Sequence, residues 1–201
     1  MHIIFALVGA VLVFLYSPAQ LLLFINGHNA PWLDKLMYHI TRLPEIAYII
    51  FVLFLGIFTQ KRYAIAIFIS LVLCGLIIVL TKFLIFSGET RPSVWLLENK
   101  IPFHAVEGIT LYSHGSFPSG HTIASFCTLA LAAFISKKWW VQFLFFALAF
   151  ASAYSRVYVL QHYFIDIYVG AIIGFVISFV CFSIIESKFH TPEWQKPFIK
   201  I

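Results

Sequence analysis

The sequence predicts an all-α, polytopic membrane protein with six transmembrane helices and a short interfacial helix. Of its 201 residues, 62% are hydrophobic and only 10% are charged, and the mean hydropathy is +0.96. Soluble domains are nearer half apolar and a quarter charged. The apolar residues also fall into runs that approach the length of a bilayer crossing, and most basic residues flank those runs.

Composition also bounds the organisation of the chain. The length allows one domain over residues 1–201, and no internal repeat indicates a second. The net charge of +5 does not indicate nucleic-acid binding, because the 13 basic residues are scattered. Cys74, Cys127 and Cys181 lie in apolar runs without CxxC spacing, so we expect packing residues rather than disulfides or metal ligands. The N-terminal apolar stretch has no preceding Lys or Arg, which favours a retained anchor over a signal peptide.

The first half of the chain predicts three spans and the interfacial helix. The first span runs from residue 3 to about 23 and is interrupted at Ser17-Pro18, since proline lacks the amide that a helix interior needs. Residues 31–43 have apolar side chains at helical spacing, which predicts the helix that lies along the membrane interface. Pro44 and Glu45 suit the first turn of the second span, 46–58, and the third is 64–86.

Residues 87–118 are predicted as a long loop. Loops of this length are usually functional or disordered. Apolar side chains such as Trp95, Phe103 and Leu111 make this one too apolar for a free tail. We therefore expect it to lean on the membrane as a partial lid.

Three further spans follow the loop. They are 119–135, 141–154 and 164–185, and Lys137-Lys138-Trp139-Trp140 between the first two predicts a basic and aromatic membrane anchor. Gly170 and Gly174 have the small-residue spacing that lets two helices approach closely, so packing is their preferred role.

Six spans place both termini on one side. Most basic loop and terminal residues outside the candidate site share that side, which predicts cytoplasmic termini in the cell inner membrane. The 87–118 loop and the polar stretch 155–166 then lie on the periplasmic or extracytoplasmic side.

That polar stretch separates two apolar runs, and charge near a bilayer is usually kept for a function. If the segment is helical from His162 onward, His162 and Asp166 lie on one face about 5 to 6 Å apart at Cβ, so the carboxylate can hold one imidazole nitrogen. Taken alone, this pair is better explained as a satisfied helix end.

The surrounding residues change that interpretation. In the predicted topology Lys82, Arg91 and Arg156 meet at one membrane depth, where Asp166 is committed to His162 and little other acid is near. Such cations call for an anionic ligand, and the fork of arginine matches phosphate oxygens. Ser119 and Gly120 at a helix start add backbone amides and the positive dipole end. The residues therefore predict a phosphoryl site.

Two histidines can divide the hydrolysis of a bound phosphate. We expect His162, oriented by Asp166, to be the nucleophile and His121 to be the general acid, with a phosphohistidine intermediate that water hydrolyses. The fixed cations stabilise the transferring charge, so no metal or other cofactor is required.

The same residues carry a family resemblance. Lys82 with Arg91-Pro92, Pro118-Ser119-Gly120-His121, and Ser155-Arg156 followed by His162 and Asp166 resemble the three-part motif of the type 2 phosphatidic acid phosphatase (PAP2) superfamily. Bacterial members are six-helix membrane lipid phosphatases. The resemblance implies phosphate binding by Lys82, Arg91, Arg156, Ser119 and Gly120, and catalysis by His121, His162 and Asp166. Eight residues, rather than the usual six, separate Lys82 from Arg91.

Three functions stay open at this point. The first is a lipid phosphatase whose partners are membrane lipids and a lipid phosphate or diphosphate; undecaprenyl diphosphate, phosphatidylglycerophosphate, phosphatidate and lipid A phosphate all fit. The second is an anionic-lipid transporter or flippase without hydrolysis, although transporter sites usually lie near the midplane. The third is a metal-dependent hydrolase using His104, His114 and His121. The oligomeric state is open.

Overall fold

The described residues of the computed structural model, 2–44, 47–136 and 138–198, form helices joined by loops. The all-α prediction is confirmed. The predictions for Glu45, Ile46 and Lys137 lie outside the described residues. The helices are α1 (His2–Leu15), α2 (Pro18–Gly27), α3 (Pro31–Ile40), α4 (Ala47–Phe58), α5 (Lys61–Val79), α6 (Pro92–Glu98), α7 (Gly120–Ile135), α8 (Trp139–Tyr158) and α9 (Phe164–Lys188), and a π-helical segment, Leu80–Ile85, continues α5.

The predicted interruption of the first span is confirmed. Helices α1 and α2 meet at an angle of 107°. The Ser17 hydroxyl accepts a hydrogen bond from the Gln20 amide at 3.2 Å, and the Gln20 side chain accepts one from the Ser17 amide at 2.8 Å. This capping box and Pro18 at the first helical position start a new helix instead of continuing the old one.

Within the described residues, three helical stretches are long and apolar enough to cross a membrane: Lys61–Ile85, Trp139–Tyr158 and Phe164–Lys188. The bent pair of α1 and α2 makes a fourth if it counts as one span. Helix α7, with 16 residues, is apolar but shorter than the roughly 20 residues of a perpendicular crossing. The chain is a membrane protein, and the count of six spans stays a prediction.

The loop prediction for residues 87–118 is wrong in one respect. Residues 92–98 form helix α6, with Pro92 at its first position. A helix of seven residues is too short to show a repeating apolar pattern, so no periodicity could be detected in the sequence. Leu96 from this helix and Val106 beyond it are buried in the main apolar core, so the segment packs on the helices.

Helices α7 and α9 form the tightest contact of the bundle, and the predicted packing role of the two glycines is confirmed. A Cβ at Gly170 would lie 2.9 Å from the Ser119 carbonyl oxygen, and one at Gly174 would lie 2.9 Å from the Cys127 amide nitrogen. Only glycine permits this approach. The three cysteines are free and buried in the core around this contact, as expected of packing residues.

Candidate active site

A cavity of about 390 Å³ lies where the π-helical segment, α7 and the loop before α9 converge. Six of the eight predicted site residues line it, together with Tyr112 and an apolar wall. Asp166 lies behind His162, and Ser119 lies behind Gly120. The lining residues are Pro44, Ile78, Lys82, Arg91, Tyr112, Gly120, His121, Ala124, Arg156 and His162.

The His162 and Asp166 pair forms, but not on one helix as the sequence suggested. Helix α9 begins at Phe164, so His162 lies in the preceding loop. Asp166 reaches back from the first turn and its Oδ2 accepts the Tyr163 amide at 2.9 Å, the Ser116 hydroxyl at 2.5 Å and Nδ1 of His162 at 3.4 Å. The cap of α9 thus fixes the carboxylate that orients the imidazole.

His162 is 1% exposed, and its surroundings disfavour protonation. Burial holds the pKa of His162 well below its usual value, and the positive charges of Arg156, Arg91, Lys82 and His121 lower it further. A neutral imidazole with Nδ1 turned to Asp166 leaves Nε2 with a lone pair, which is the form that a nucleophile needs.

Lys82 and Arg91 meet at one backbone carbonyl despite their long sequence separation. Nζ of Lys82 donates to the Gly115 oxygen at 2.5 Å, and Nη2 of Arg91 donates to the same oxygen at 3.4 Å. Gly115 has φ +71°, a left-handed conformation that glycine adopts without strain. The π-helical segment and the turn around Ser87 take up the two additional residues, so both cations line the same cavity.

Arg91 has a partner that the sequence analysis did not single out. Its Nη1 donates to the side-chain oxygen of Gln161 at 2.6 Å and to the Gln161 carbonyl at 3.0 Å, and its Nε donates to the His114 carbonyl at 2.9 Å. The Gln161 amide in turn donates to the Thr110 carbonyl at 2.8 Å. The available signal was the position of Gln161 inside the polar stretch, directly before His162.

Arg156 lies in the last turn of α8, which extends four residues beyond the predicted end of that span. Its side chain is buried, and Nη1 donates to the Thr41 hydroxyl at 2.6 Å. Thr41, at the end of α3, was also not predicted, because 115 residues separate the two partners. Lys82 and Arg91 therefore hydrogen-bond to neutral oxygens that orient them, and the Thr41 hydroxyl helps to orient Arg156.

The start of α7 forms part of the cavity wall. Ser119 is the N-cap, and its hydroxyl accepts hydrogen bonds from the hydroxyl and amide of Thr122 at 2.9 and 3.4 Å. Gly120 is the first helical residue, where amides have no intrahelical acceptor. A Cβ at Gly120 would lie 3.4 Å from Cε of Lys82. The predicted phosphate-binding role thus fits Gly120 better than the buried hydroxyl of Ser119.

His104 and His114, in the segment between α6 and α7, contact groups outside the cavity. His104 contacts Asp34, with Nε2 2.9 Å from Oδ2, and Nδ1 of His114 lies 3.0 Å from the Ser113 hydroxyl. Across the described ranges, no group of three or more His, Cys, Asp or Glu side chains is arranged to hold a metal ion. Glu89 lines a neighbouring cavity.

Comparison with known proteins supports the helical fold. No curated protein sequence matches the chain. The fold is similar to that of LpxE from Aquifex aeolicus, with TM-score 0.67 and 25% identity over 82% of this chain and 93% of that one. It is also similar to a transmembrane PAP2 type phosphatidylglycerolphosphate phosphatase from Bacillus subtilis, with TM-score 0.67 and 21% identity over 94% and 96% of the two chains.

The family model of the PAP2 superfamily matches residues 63–189. That range is more than half of the chain and contains all eight predicted site residues, from Lys82 to Asp166. The protein is a membrane phosphatase that belongs to the PAP2 superfamily.

Proposed function

We propose that this membrane lipid phosphatase hydrolyses a terminal phosphate of an amphiphilic lipid through a phosphohistidine on His162. One observation carries the proposal: a buried histidine, backed by a carboxylate, lines the same cavity as three cations. A second histidine, His121, lines that cavity at the start of α7.

In the first half-reaction Nε2 of His162 attacks phosphorus, and the bond between phosphorus and the leaving oxygen breaks. His121 gives its proton to that oxygen. In the second half-reaction His121 takes a proton from water, whose oxygen attacks phosphorus and releases inorganic phosphate and neutral His162. Asp166 stabilises the charge that develops on the His162 ring.

The cations supply the electrostatic part of catalysis. Lys82, Arg91 and Arg156 are held in place by hydrogen bonds before any substrate binds. Donors oriented in advance stabilise the transition-state charge without reorganisation. We therefore propose that hydrolysis proceeds without a metal ion.

An amphiphilic substrate suits the shape of the cavity. Ile78 of α5, Ala124 of α7 and Pro44 form an apolar wall beside the polar groups. A lipid tail on this wall keeps its contacts with hydrocarbon while the phosphate reaches His162. The substrate candidates are undecaprenyl diphosphate, phosphatidylglycerophosphate, phosphatidate and lipid A phosphate. The name of the similar Bacillus subtilis structure, a phosphatidylglycerolphosphate phosphatase, supports a lipid substrate.

We also propose that the termini are cytoplasmic and that the site opens on the periplasmic or extracytoplasmic side of the inner membrane. Single cysteines at Ser113 and Lys196, both exposed, test this orientation. In intact cells an impermeant maleimide should label Ser113→Cys and leave Lys196→Cys unlabelled until the cells are permeabilised. The opposite labelling pattern would reverse the orientation.

The decisive experiment is phosphate release from the four lipid classes by purified protein, with His162→Ala in parallel. We expect release that EDTA does not abolish, that vanadate inhibits and that His162→Ala loses. Undiminished release by His162→Ala contradicts the phosphohistidine mechanism. Loss with EDTA and rescue by zinc would favour a metal-dependent hydrolase, and lipid flipping in liposomes without release would favour a transporter.

A further inference from the structure

Tyr112 lies at the edge of the candidate catalytic cavity, in the segment between α6 and α7. It lines that cavity and also a neighbouring cavity of about 390 Å³. The residue is 58% exposed, so its ring belongs to the rim of the cavity rather than to the interior. Neither the two proposed half-reactions nor the residues of the PAP2 motif give Tyr112 a role.

The ring of Tyr112 contacts Arg91. Cζ of Arg91 lies over the ring, 5.3 Å from its centre. A guanidinium within about 6 Å of an aromatic face is attracted to the electrons of the ring. Because the hydrogen bonds of a guanidinium run along its N–H bonds, the ring face adds a restraint that those bonds do not supply.

The residues that follow Tyr112 also contact Arg91, each through a main-chain oxygen. The Arg91 amide donates to the Ser113 carbonyl at 2.9 Å, and Nε donates to the His114 carbonyl at 2.9 Å. Nη2 donates to the Gly115 carbonyl at 3.4 Å. The consecutive residues 112–115 therefore surround this one arginine, with the Tyr112 ring at the exposed end of the segment.

These contacts use most of the donors of the Arg91 guanidinium. Nε donates to the segment 112–115, and Nη1 donates to both oxygens of Gln161. Nη2 carries two N–H groups, of which one donates to the Gly115 carbonyl. The other has no partner among the described residues, so the orientation of the guanidinium decides whether this N–H reaches a phosphate in the cavity.

We propose that Tyr112 is a positioning residue whose ring face holds Arg91 so that the second N–H of Nη2 is directed to a bound phosphate. This inference rests on the proposed phosphatase function, because phosphate is the ligand that Arg91 receives. The ring acts through its face, and the hydroxyl is not required. Without the ring Arg91 keeps its charge but loses a restraint on its orientation, so the affinity for phosphate falls.

The test measures the Kd of orthovanadate, a phosphate analogue, from the rise of the unfolding temperature with its concentration in detergent. In Tyr112→Leu the Kd should rise about threefold to thirtyfold, up to the strength of one cation–π contact. Tyr112→Phe keeps the ring face and should restore most of the affinity. Tyr112→Trp offers the strongest face and should bind at least as tightly as Tyr112→Phe.

Two controls show whether the effect passes through Arg91. Arg91→Lys keeps a positive charge but has no planar group to orient, so adding Tyr112→Leu to it should change the Kd by less than about twofold. Tyr38→Leu removes a similar contact, in which Cζ of Arg42 lies 3.9 Å from the ring centre. Arg42 does not line the candidate catalytic cavity, so this variant should keep the wild-type Kd.

Three results would overturn the proposal. The first is an unchanged Kd in Tyr112→Leu, and the second is an equal loss in Tyr112→Phe, which would assign the effect to the hydroxyl. The third is a loss in the Arg91→Lys background as large as that in the wild type. A variant that is only less stable unfolds at a lower temperature without vanadate but keeps its Kd. Phosphate release that depends on His162 establishes the proposed function whichever way the Tyr112 series turns out.

Discussion

Two histidine and aspartate pairs in this molecule look alike and differ in what surrounds them. In one, Nδ1 of His162 lies 3.4 Å from Oδ2 of Asp166. In the other, Nε2 of His104 lies 2.9 Å from Oδ2 of Asp34. By distance alone the second is the stronger hydrogen bond, yet the first is the candidate catalytic pair.

The second pair is used for structure. Tyr158 donates to Oδ1 of Asp34 at 2.5 Å, and the backbone of His104 exchanges two hydrogen bonds with the Asn26 side chain, at 2.7 and 2.9 Å. These contacts connect α2, α3, α8 and the segment after α6. The polar groups satisfy one another, and they fix the segment after α6 onto the helices.

The catalytic pair has a different environment. His162 faces a cavity shared with Lys82, Arg91 and Arg156, and burial together with these positive charges disfavours its protonation. The pairing itself therefore does not mark an active site. What marks the candidate site is a cavity that three cations and two histidines line together.

The largest contrast should come from removing each histidine. His162→Ala should lower kcat by on the order of 10³-fold or more, because the nucleophile is lost. His104→Ala should keep kcat within about threefold and instead lower the free energy of unfolding by about 1 to 2 kcal/mol. Phosphate release and thermal unfolding in detergent measure the two effects. A kcat loss in His104→Ala as large as that in His162→Ala would remove the distinction between the pairs.

Substitutions of Asp166 and Asp34 should also differ, one in kcat and the other in stability. Asp166→Asn should lower kcat by about 10²- to 10⁴-fold, because the imidazole loses the acceptor that fixes its tautomer and stabilises its charge. Asp34→Asn should mainly lower the unfolding temperature, because Tyr158 and His104 lose a charged acceptor. Equal kcat for the wild type and Asp166→Asn would show that the orientation of His162 does not depend on that carboxylate.

The charge beside Arg91 in the candidate catalytic cavity can be changed at Gln161. Gln161→Glu places a carboxylate beside Nη1 of Arg91, and we expect kcat/KM to fall about tenfold to a hundredfold because the new ion pair competes with phosphate. Gln161→Leu loses only the orienting hydrogen bond, so its kcat/KM should fall less. If kcat/KM falls equally in both variants, the absence of charge on the residue 161 side chain does not matter for activity.

The smallest effect is on the pH profile. The proposed nucleophile must be neutral, and burial together with nearby cations holds the pKa of His162 well below its usual value of 6.5. Protonation therefore removes activity only at low pH, and the acidic limb of kcat/KM assigned to His162 should lie below pH 6.5. A limb at or above that value would mean that water or substrate reaches the imidazole more freely than the structure shows.

Much of the site could be predicted because its chemistry requires particular residue types in order. Lys82, Arg91, the start of α7 at Gly120, and His162 are such residues, and the structure brings them to one cavity. The interruption at Ser17-Pro18 and the packing at Gly170 and Gly174 could also be predicted from the sequence, because proline and glycine have strong local effects.

The missed residues depend on tertiary contacts. Thr41 and Gln161 are ordinary polar residues until the fold places them at 2.6 Å from Arg156 and Arg91. Helix α6 is too short for a periodic pattern, and the contact of His162 with Asp166 arises from the cap of α9 rather than from a shared helix face. The sequence indicates which groups react, whereas the fold decides which neighbours orient them.

The glycine contact between α7 and α9 has a mechanical consequence. The Ser119 amide donates to the Asp166 carbonyl at 3.1 Å, and Gly170 lets the two backbones touch just beyond this bond. The helix starts that carry His121 and Asp166 are thus joined directly, main chain to main chain. A bilayer that thins or thickens acts on the apolar flanks of these helices, which respond by tilting. Tilted together, they keep the spacing of the two proposed catalytic groups, so the geometry of the candidate site is decoupled from strain in the surrounding lipid.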